Sequence, residues 1–458
     1  MKLSRLDIAN FRCFESLSIP FRPDVNVLVG VNGAGKSAIL DAIALSLFHV
    51  VAANGAGGLR QRKLQRAILR PSDIHVPSGS DFAHFRTSFT DYYEPETQRQ
   101  MSLFSEEDWG KSTLILDQHI VYRSPNSFDY RLEGGKHFDA YFTALWHEAH
   151  RSPKALIPFP VVAYYRATRR ISGMPEMGNI FALRLDRTSA FQGALDAGAN
   201  YHSMCQWFYL RENQELREKQ QRGRNEAFEL PDLKAVRHAL VKMLENVESV
   251  FFDDNPPTLK IQMASRDGKP TIMALEQLSD GYRNLLAVVL DFARRLALAH
   301  PHWEKPLEAP GILVIDEIDL HLHPNWQQRI ITHLRAVFPN TQMIVATHSP
   351  AILTTVRREQ ILLLGADHQF ESIPDDVGTY GAESSRVLAE VFGTHARPQE
   401  VPSVHELRNY LRLVEGRQHD SEDARTLRSR LESALGTGDP DLQRADLRIK
   451  QLAFLRQP

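Results

Sequence analysis

Apolar positions along the chain fall into two rhythms. Short continuous runs, Val25–Val29 leading into Gly30, Val161–Tyr165, Gly311–Ile315 and Gln342–Ala346, predict strands buried on both faces. Longer stretches with helical spacing follow several of them, at Ala38–Val50, Gly281–His300 and Trp326–Val337. Apolar strands alternating with amphipathic helices predict an α/β fold with parallel strands at its core. The start reads as strand, turn, strand, with Leu3–Ala9 and Leu17–Ile19 ahead of Val25. A further strand is expected at Thr113–Tyr122, with turn chemistry at Ser124–Ser127, and a hairpin around Asp267-Gly268 joins Thr258–Met263 to Thr271–Leu275. Ser189–Val250 reads as mostly helical, broken by the polar stretch Arg211–Asn225. The tail Ser403–Arg456, interrupted near Gly436–Pro440, predicts a small helical hairpin. Neither sustained heptads nor an internal repeat is present.

Composition changes this picture little. With 458 residues, 43% hydrophobic and 24% charged, the chain has ordinary globular usage and length enough for a large core. A formal net charge of −2 gives no global attraction to nucleic acid or anionic lipid, so any such contact needs a local patch. Two basic clusters qualify: Leu59–Arg70, which carries Arg60, Arg62, Lys63, Arg66 and Arg70, and the group Arg166, Arg169 and Arg170. Either could meet a phosphate backbone, or simply be a solvated face. Cys13 and Cys205 are far apart and lack CxxC spacing, which excludes a disulfide framework or a Cys-ligated metal. No stretch approaches the ~20 apolar residues of a membrane span, and the N-terminus lacks a signal-peptide pattern, so a cytoplasmic protein without membrane association is expected.

Chemistry enters at Gly30-Val31-Asn32-Gly33-Ala34-Gly35-Lys36-Ser37, a GxxxxGK[ST] run placed between an apolar strand and a helix, as a phosphate-binding loop requires. Backbone amides of Asn32, Gly33, Ala34 and Gly35 would wrap phosphates at a helix N-terminus. Lys36 would reach the outer phosphates and Ser37 would offer a hydroxyl to Mg²⁺. The run Gly311–Ile315 drives Asp316 and Glu317 to the carboxyl end of a buried strand, where open α/β sheets bind ligands. There Asp316 suits a metal and Glu317 suits the attacking water, the usual division of labour in phosphoryl transfer. His348, in Thr347-His348-Ser349-Pro350, ends the next apolar strand and can reach the same phosphate. No Asp/Glu/Lys or His/Asn cluster suggests a nuclease.

The run Leu278-Ser279-Asp280-Gly281-Tyr282-Arg283-Asn284 resembles the signature sequence of ABC ATPases, with Asp280 and Tyr282 where transporters usually carry glycine and glutamine; alone, a Ser-Asp-Gly helix cap would be the better reading. In the order P-loop, signature, Asp-Glu strand, histidine, the four motifs together resemble an ABC-type head. Ile8-Ala9-Asn10-Phe11-Arg12 looks like the opening of RecF and SMC-type heads. That resemblance implies nucleotide contacts for Asn10, Arg12, Ser279 and Gly281, a D-loop role for Asp319, and pairing of two ATP-bound heads so that Ser279 completes the partner's site. Asp319 could otherwise be a cap ahead of His323-Pro324, and His321 with His323 could be a metal pair or merely structural. No residue matches the glutamine loop of that family, a departure from its pattern for which a place near Asp73 is only a guess. More closely, Leu278–Asn284, Ile315–Pro324, Ala346–Leu353 and the closing Tyr380-Gly381 to Pro398 stretch resemble the PtuA-type AAA-family ATPases of Septu and certain retron antiphage systems.

The expected layout is an N-terminal lobe at 1–58, an insertion at 59–256, a C-terminal lobe at 257–400 and a helical tail at 401–458. The resemblance implies ATP and Mg²⁺ as cofactors, a homodimer or higher oligomer, and a partner effector such as an HNH nuclease. Two other readings stay open: a RecF-like repair ATPase that binds duplex DNA itself, and an ATP-holding scaffold with little hydrolysis. A transporter subunit fits least.

Overall fold

Parallel strands that bury both faces carry almost nothing but apolar side chains, and the central sheet is built from such runs. The computed structural model describes residues 1–56, 73, 82–93, 95, 113–124, 127–167, 185–196, 201–223, 227–244, 246–254, 257–264, 270–395 and 397–454. The expected basic segment 59–70, Arg169, Arg170 and the turn at 267–268 lie outside the described residues. Contacts divide the chain into two compact units, Met1–Ala382 and Glu383–Pro458.

The first unit opens with β1 (Lys2–Phe11), β2 (Phe14–Pro20), β3 (Val25–Gly30) and α1 (Lys36–Val51). Then come β4 (Phe82–Thr90), β5 (Leu114–Ser124), β6 (Ser127–Glu133), α2 (Gly135–Arg151) and β7 (Val161–Tyr165). Next are α3 (Tyr201–Gln221), α4 (Pro231–Met243), β8 (Val247–Asp254), β9 (Pro257–Met263), β10 (Thr271–Ala274) and α5 (Asp280–Ala299). The unit closes with β11 (Gly311–Ile315), α6 (Pro324–Gln327), α7 (Ile330–Val337), β12 (Thr341–Ala346), α8 (Pro350–Leu353), β13 (Ile361–Leu364) and β14 (Phe370–Glu371).

A six-stranded sheet runs β14-β13-β3-β12-β11-β7, parallel throughout except at β14. Its register sets Ile315 beside Val345 and Val345 beside Val27, so β3, β12 and β11 end side by side. A five-stranded antiparallel sheet, β2-β1-β4-β5-β6, and a three-stranded one, β10-β9-β8, complete the unit. The stretch 59–256 is thus woven into the head, giving β7 to the central sheet and β4 to the partner of β1. In β1 a register shift between Leu3 and Arg5 lets Leu3 and Leu6 both face inward despite their odd spacing. Gln342, buried in β12, ties β1 to the central sheet by accepting from Leu3 N (2.8 Å) and donating to Leu3 O (2.7 Å).

Helix α1 is apolar nearly all round and therefore buried. With its continuation to Asn54 it is long and apolar enough, by length and composition, to cross a bilayer, contrary to the expectation that no stretch approaches that. Of its apolar window, 83% is buried inside the fold, as befits a core helix.

Three helical expectations change. The polar stretch after Arg211 does not break α3, because its charges face α4: Arg237 donates to Glu212 (2.7 Å) and Glu215 (2.8 Å), and Arg211 to Asp232 (2.6 Å). Residues Val247–Val250 belong to β8, paired with β9, and not to a helix. The helix expected at Trp326–Val337 is two, since Arg329 N bonds Trp326 O (2.9 Å) in a tight turn that interrupts it.

The second unit holds α9 (Ser384–Glu390), α10 (Pro402–Glu415), α11 (Glu422–Leu435) and α12 (Pro440–Phe454). The expected hairpin is instead three helices around one core of Leu407, Tyr410, Val414, Ala424, Leu431, Leu442 and Ala445. Ser421 caps α11 and Gly436 ends it, so the break near Gly436 separates the second helix from the third.

Candidate nucleotide site

The loop after β3 turns tightly into α1. Gly35 adopts φ 111°, and a Cβ there would stand 2.6 Å from Phe14 Cζ and 2.7 Å from Cys13 Sγ, so backbone and space both demand glycine. Asn32 and Gly33 form the exposed tip, while Ala34 is buried. Lys36 folds back into the loop, its Nζ donating to Gly30 O (2.9 Å) and Val31 O (3.1 Å). Burial lowers the Lys36 pKa, against the pull of Asp316, Glu317 and Asp319. His368, at the turn after β13, braces the loop from below: its Nδ1 donates to Ala34 O at 2.8 Å, since a carbonyl only accepts. The sequence carried no signal for that histidine.

At the end of β11, Asp316 is 5% exposed, and its amide donates to Tyr165 O on β7 (2.8 Å). Burial pushes its carboxyl above the usual range; the Ser37 hydroxyl, which bonds it, pulls the other way, and Glu317 and Asp41 raise it further. Ser37 and Asp316 thus stand together, as a shared metal would require. A hydroxyl and a crowded carboxylate are hard oxygen donors in a field that a divalent cation would relieve, so this pair fits Mg²⁺. Among the described residues no three His, Cys, Asp or Glu are grouped to hold a metal. Glu317 follows in the left-handed region (φ 44°), a strained geometry for a non-glycine residue that turns the chain sharply at the strand end.

His348, half-buried, lies two residues after β12 and feels Lys36, Asp319, Glu317 and Asp316. Burial first and Lys36 second lower its pKa, against the pull of Asp319, Glu317 and Asp316. Asp319 accepts from Thr347 Oγ1 (2.5 Å), and Thr347 Oγ1 accepts from Ser349 N (3.0 Å), joining the loops after β11 and β12. Asp319 is not the cap of α6. That cap is His323, whose Nδ1 accepts from Asn325 N at 3.3 Å. His321 is exposed.

Ser279 is exposed at the start of α5 and makes no side-chain cap bond. Gly281 packs against the loop after β11 so closely that a Cβ would lie 2.1 Å from His321 O. Its neighbour in that contact is the chain's own backbone.

Asn10 and Arg12 both take left-handed backbone (φ 54° and 52°) at the end of β1. Arg12 donates to Asp41 (2.7 Å) and Asp73 (2.9 Å), and its amide donates to Asp73 O (2.6 Å). Asp73, where the glutamine loop was expected, is therefore a partner of Arg12. Asp41, one turn beyond Ser37, also accepts from Tyr164 OH (2.7 Å) and from Arg166 Nη2 (2.7 Å). Sequence reasoning missed Asp41 and Tyr164; the available signal was a single carboxylate inside an otherwise apolar helix. It also missed Asp291, buried in α5 between Arg294 (2.6 Å) and Arg295 (2.9 Å), and Tyr165, which donates to it (2.8 Å).

Comparison with known proteins bears out the family resemblance. A family profile described as "AAA domain, putative AbiEii toxin, Type IV TA system" matches residues 25–354. The chain is 28% identical to the "Retron Ec83 probable ATPase" of Escherichia coli, over 98% of this chain and 87% of that one. It is 24% identical to the Septu protein PtuA of Bacillus mycoides, over 81% of this chain but 41% of that protein. Among solved structures, an SMC head bound to the C-winged helix domain of ScpA matches with a TM-score of 0.45 and 19% identity, covering 83% of this chain and 97% of that one.

Proposed function

The chain belongs to the AAA-domain family matched across residues 25–354 and is an ATPase, and we propose that it is a Mg²⁺-dependent one whose ATP-bound heads pair to control a partner effector in antiphage defence. The observation that carries this reading is the convergence of Lys36, the bonded pair Ser37 and Asp316, Glu317 and His348 at the carboxyl ends of three adjacent parallel strands.

On this reading the outer phosphates displace Gly30 O and Val31 O as partners of the Lys36 ammonium, while the amides of Asn32–Gly35 wrap the inner ones. Mg²⁺, held by Ser37 and Asp316, supplies charge neutralisation at the outer phosphates. Glu317 orients and polarises the attacking water, and His348 donates a hydrogen bond to the outer phosphate. Asn10 and Arg12 border the nucleotide from the end of β1. Ser279, exposed and uncommitted to its own helix cap, suits a contact with the nucleotide of a second copy, and Asp319 lies in the loop that Gly281 touches.

Defence enters through the relatives, which are named as ATPases of a retron and as PtuA of a Septu system. We assign the effector, a nuclease of HNH type, to a second chain that docks on the tail. The test is phosphate release from ATP by the purified chain with Mg²⁺, compared with Lys36→Ala and Glu317→Gln. Hydrolysis unaffected by both substitutions sinks the proposal.

A further inference from the structure

Resting on the ATPase reading, we propose that His368 is a positioning residue for the nucleotide: by holding the Ala34 carbonyl it turns the Gly35 amide toward the bound phosphates. Its place comes from the sheet. β13 runs parallel to β3 with Leu364 beside Gly30, where the phosphate-binding loop leaves its strand. The two approach so closely that a Cβ on Gly30 would overlap Leu364 O. The chain then reverses between β13 and β14 in a turn closed by three bonds: Gly365 N donates to Gln369 O (2.8 Å), His368 N to Gly365 O (3.2 Å) and Gln369 N to Asp367 Oδ1 (3.1 Å). His368 takes left-handed backbone in that turn (φ 64°), and its ring is delivered to Ala34 O, 2.8 Å from Nδ1.

Peptide geometry carries the consequence. The Ala34 carbonyl and the Gly35 N–H belong to one planar trans unit, so they point in opposite directions. Phe14 and Cys13 wall the loop on the side where a Gly35 Cβ would stand, and the His368 ring meets Phe14 edge-on, 6.0 Å between centroids. With the carbonyl held by His368, the Gly35 amide faces away from that histidine, to the side where the phosphates sit on this reading.

Glycine itself supplies no such hold. Turning the peptide unit over changes only Ala34 ψ and Gly35 φ, and a glycine accepts φ of either sign. Ala34 N is tied to Val31 O (3.2 Å) and Gly35 O to Ile39 N (3.0 Å), but those groups belong to the peptide units on either side. The bond from His368 acts on the unit between them.

The rival is a packing role, in which the His368 ring only fills space beside Phe14. Gly and Asn both accept left-handed backbone, and Asn Nδ2 stands where His Nδ1 does, so His368→Gly removes the bond while His368→Asn restores the donor without the ring. Binding of ADP and of AMP-PNP, a non-hydrolysable ATP analogue, each with Mg²⁺, is measured in the full-length chain together with phosphate release from ATP. His368→Gly is expected to weaken both nucleotides about five- to tenfold, the worth of one hydrogen bond, and to raise KM by a similar factor with kcat within about twofold of wild type. His368→Asn should return affinity to within about twofold of wild type. Equal losses in the Gly and Asn variants would overturn the proposal in favour of packing, and wild-type affinity in His368→Gly would overturn it outright. A loss confined to AMP-PNP, or a fall in kcat with KM unchanged, would overturn it too, by placing His368 at the outer phosphate or in the chemistry. If the wild-type chain binds neither nucleotide, or Lys36→Ala binds both as well as wild type, the ATPase reading itself falls, and this proposal with it.

Discussion

Tyr164 and Tyr165 are consecutive on β7, and their hydroxyls serve opposite helices: Tyr164 donates to Asp41 on α1 (2.7 Å) and Tyr165 to Asp291 on α5 (2.8 Å). Alternation along a strand sends neighbouring side chains to opposite faces, so one edge strand grips both the helix of the phosphate-binding loop and the helix that begins at Ser279. The grip on α5 is ionic. Asp291 is wholly buried; burial alone would raise its carboxyl, but Arg295 and Arg294 outweigh it and hold the pKa down to about 2. Arg295 also donates to Ala190 O (2.8 Å) and Gln192 O (2.9 Å), tying in the segment that precedes α3.

Tyr165→Phe should therefore destabilise the first unit by about 2 kcal/mol, because a buried carboxylate loses one charged hydrogen bond while both arginines remain. Urea unfolding monitored by circular dichroism measures this. A variant as stable as wild type would mean that the two arginines satisfy Asp291 without the phenol.

Lys36→Ala is expected to abolish ATP binding with the fold retained, since the lost ammonium bonds only Gly30 O and Val31 O within the loop. Glu317→Gln should keep Mg-ATP bound and slow hydrolysis by about 10²-fold or more, the usual contribution of a positioned base. Equilibrium binding and phosphate release read the two effects separately. Wild-type turnover in Glu317→Gln would remove that residue from its role.

Much of the central sheet was legible because strands buried on both faces leave continuous apolar runs, as Val25–Val29 and Gly311–Ile315 do. The position of Asp316 and Glu317 was legible for the same reason, since a carboxylate pair directly after a buried strand stands at its carboxyl end. What stayed hidden depends on distant partners. Asp41 gains its meaning from Arg12, 29 residues away, and from Arg166, 125 away. The polar stretch in α3 looked like a break because Arg237, which absorbs Glu212 and Glu215, lies on another helix. His368 reaches Ala34 across 334 residues, a contact that no local pattern announces.

Gly281→Ala tests the contact between α5 and the loop after β11. A methyl 2.1 Å from His321 O cannot be accommodated without moving backbone, so the start of α5 and the Asp319 loop must shift apart. The cost should be about 1–3 kcal/mol. ATP binding by the Lys36 loop is expected to survive, whereas ATP-dependent pairing should fall in Gly281→Ala and vanish in Ser279→Arg. Light scattering with and without ATP in the Glu317→Gln background checks this, and pairing unchanged in Ser279→Arg would refute the shared site.

His300 gives a pH dependence. Burial against Trp303 lowers its pKa to about 4 from 6.5, so the folded state holds it neutral while the unfolded state takes up a proton below pH 6.5. The unfolded state binds more protons in that window, hence stability falls as pH drops from about 6.5 toward 4, by on the order of 3 kcal/mol in total. His300→Phe, which cannot titrate, should flatten that part of the curve. Urea midpoints at pH 7, 6 and 5 decide it; parallel curves for both proteins would show that other groups set the slope.

Removal of Glu383–Pro458 is the most informative deletion. That unit has a core of its own, with Leu407, Tyr410 and Val414 of α10 packed against Ala424, Leu431, Leu442 and Ala445. Arg428 on α11 also binds Asp446 on α12 (2.7 Å), and Arg397 binds Asp439 (2.8 Å) at the start of α12. None of the residues assigned to ATP lies in this unit. The truncated chain should therefore bind ATP with wild-type affinity. If the unit is a docking module, co-purification with an HNH-type nuclease partner, and the nuclease activity gained by that pairing, should both disappear. The full-length chain alone, with ATP and Mg²⁺, should leave DNA and RNA uncut. Cleavage by the lone chain, or an effector that still binds after truncation, would place docking or chemistry in the first unit instead.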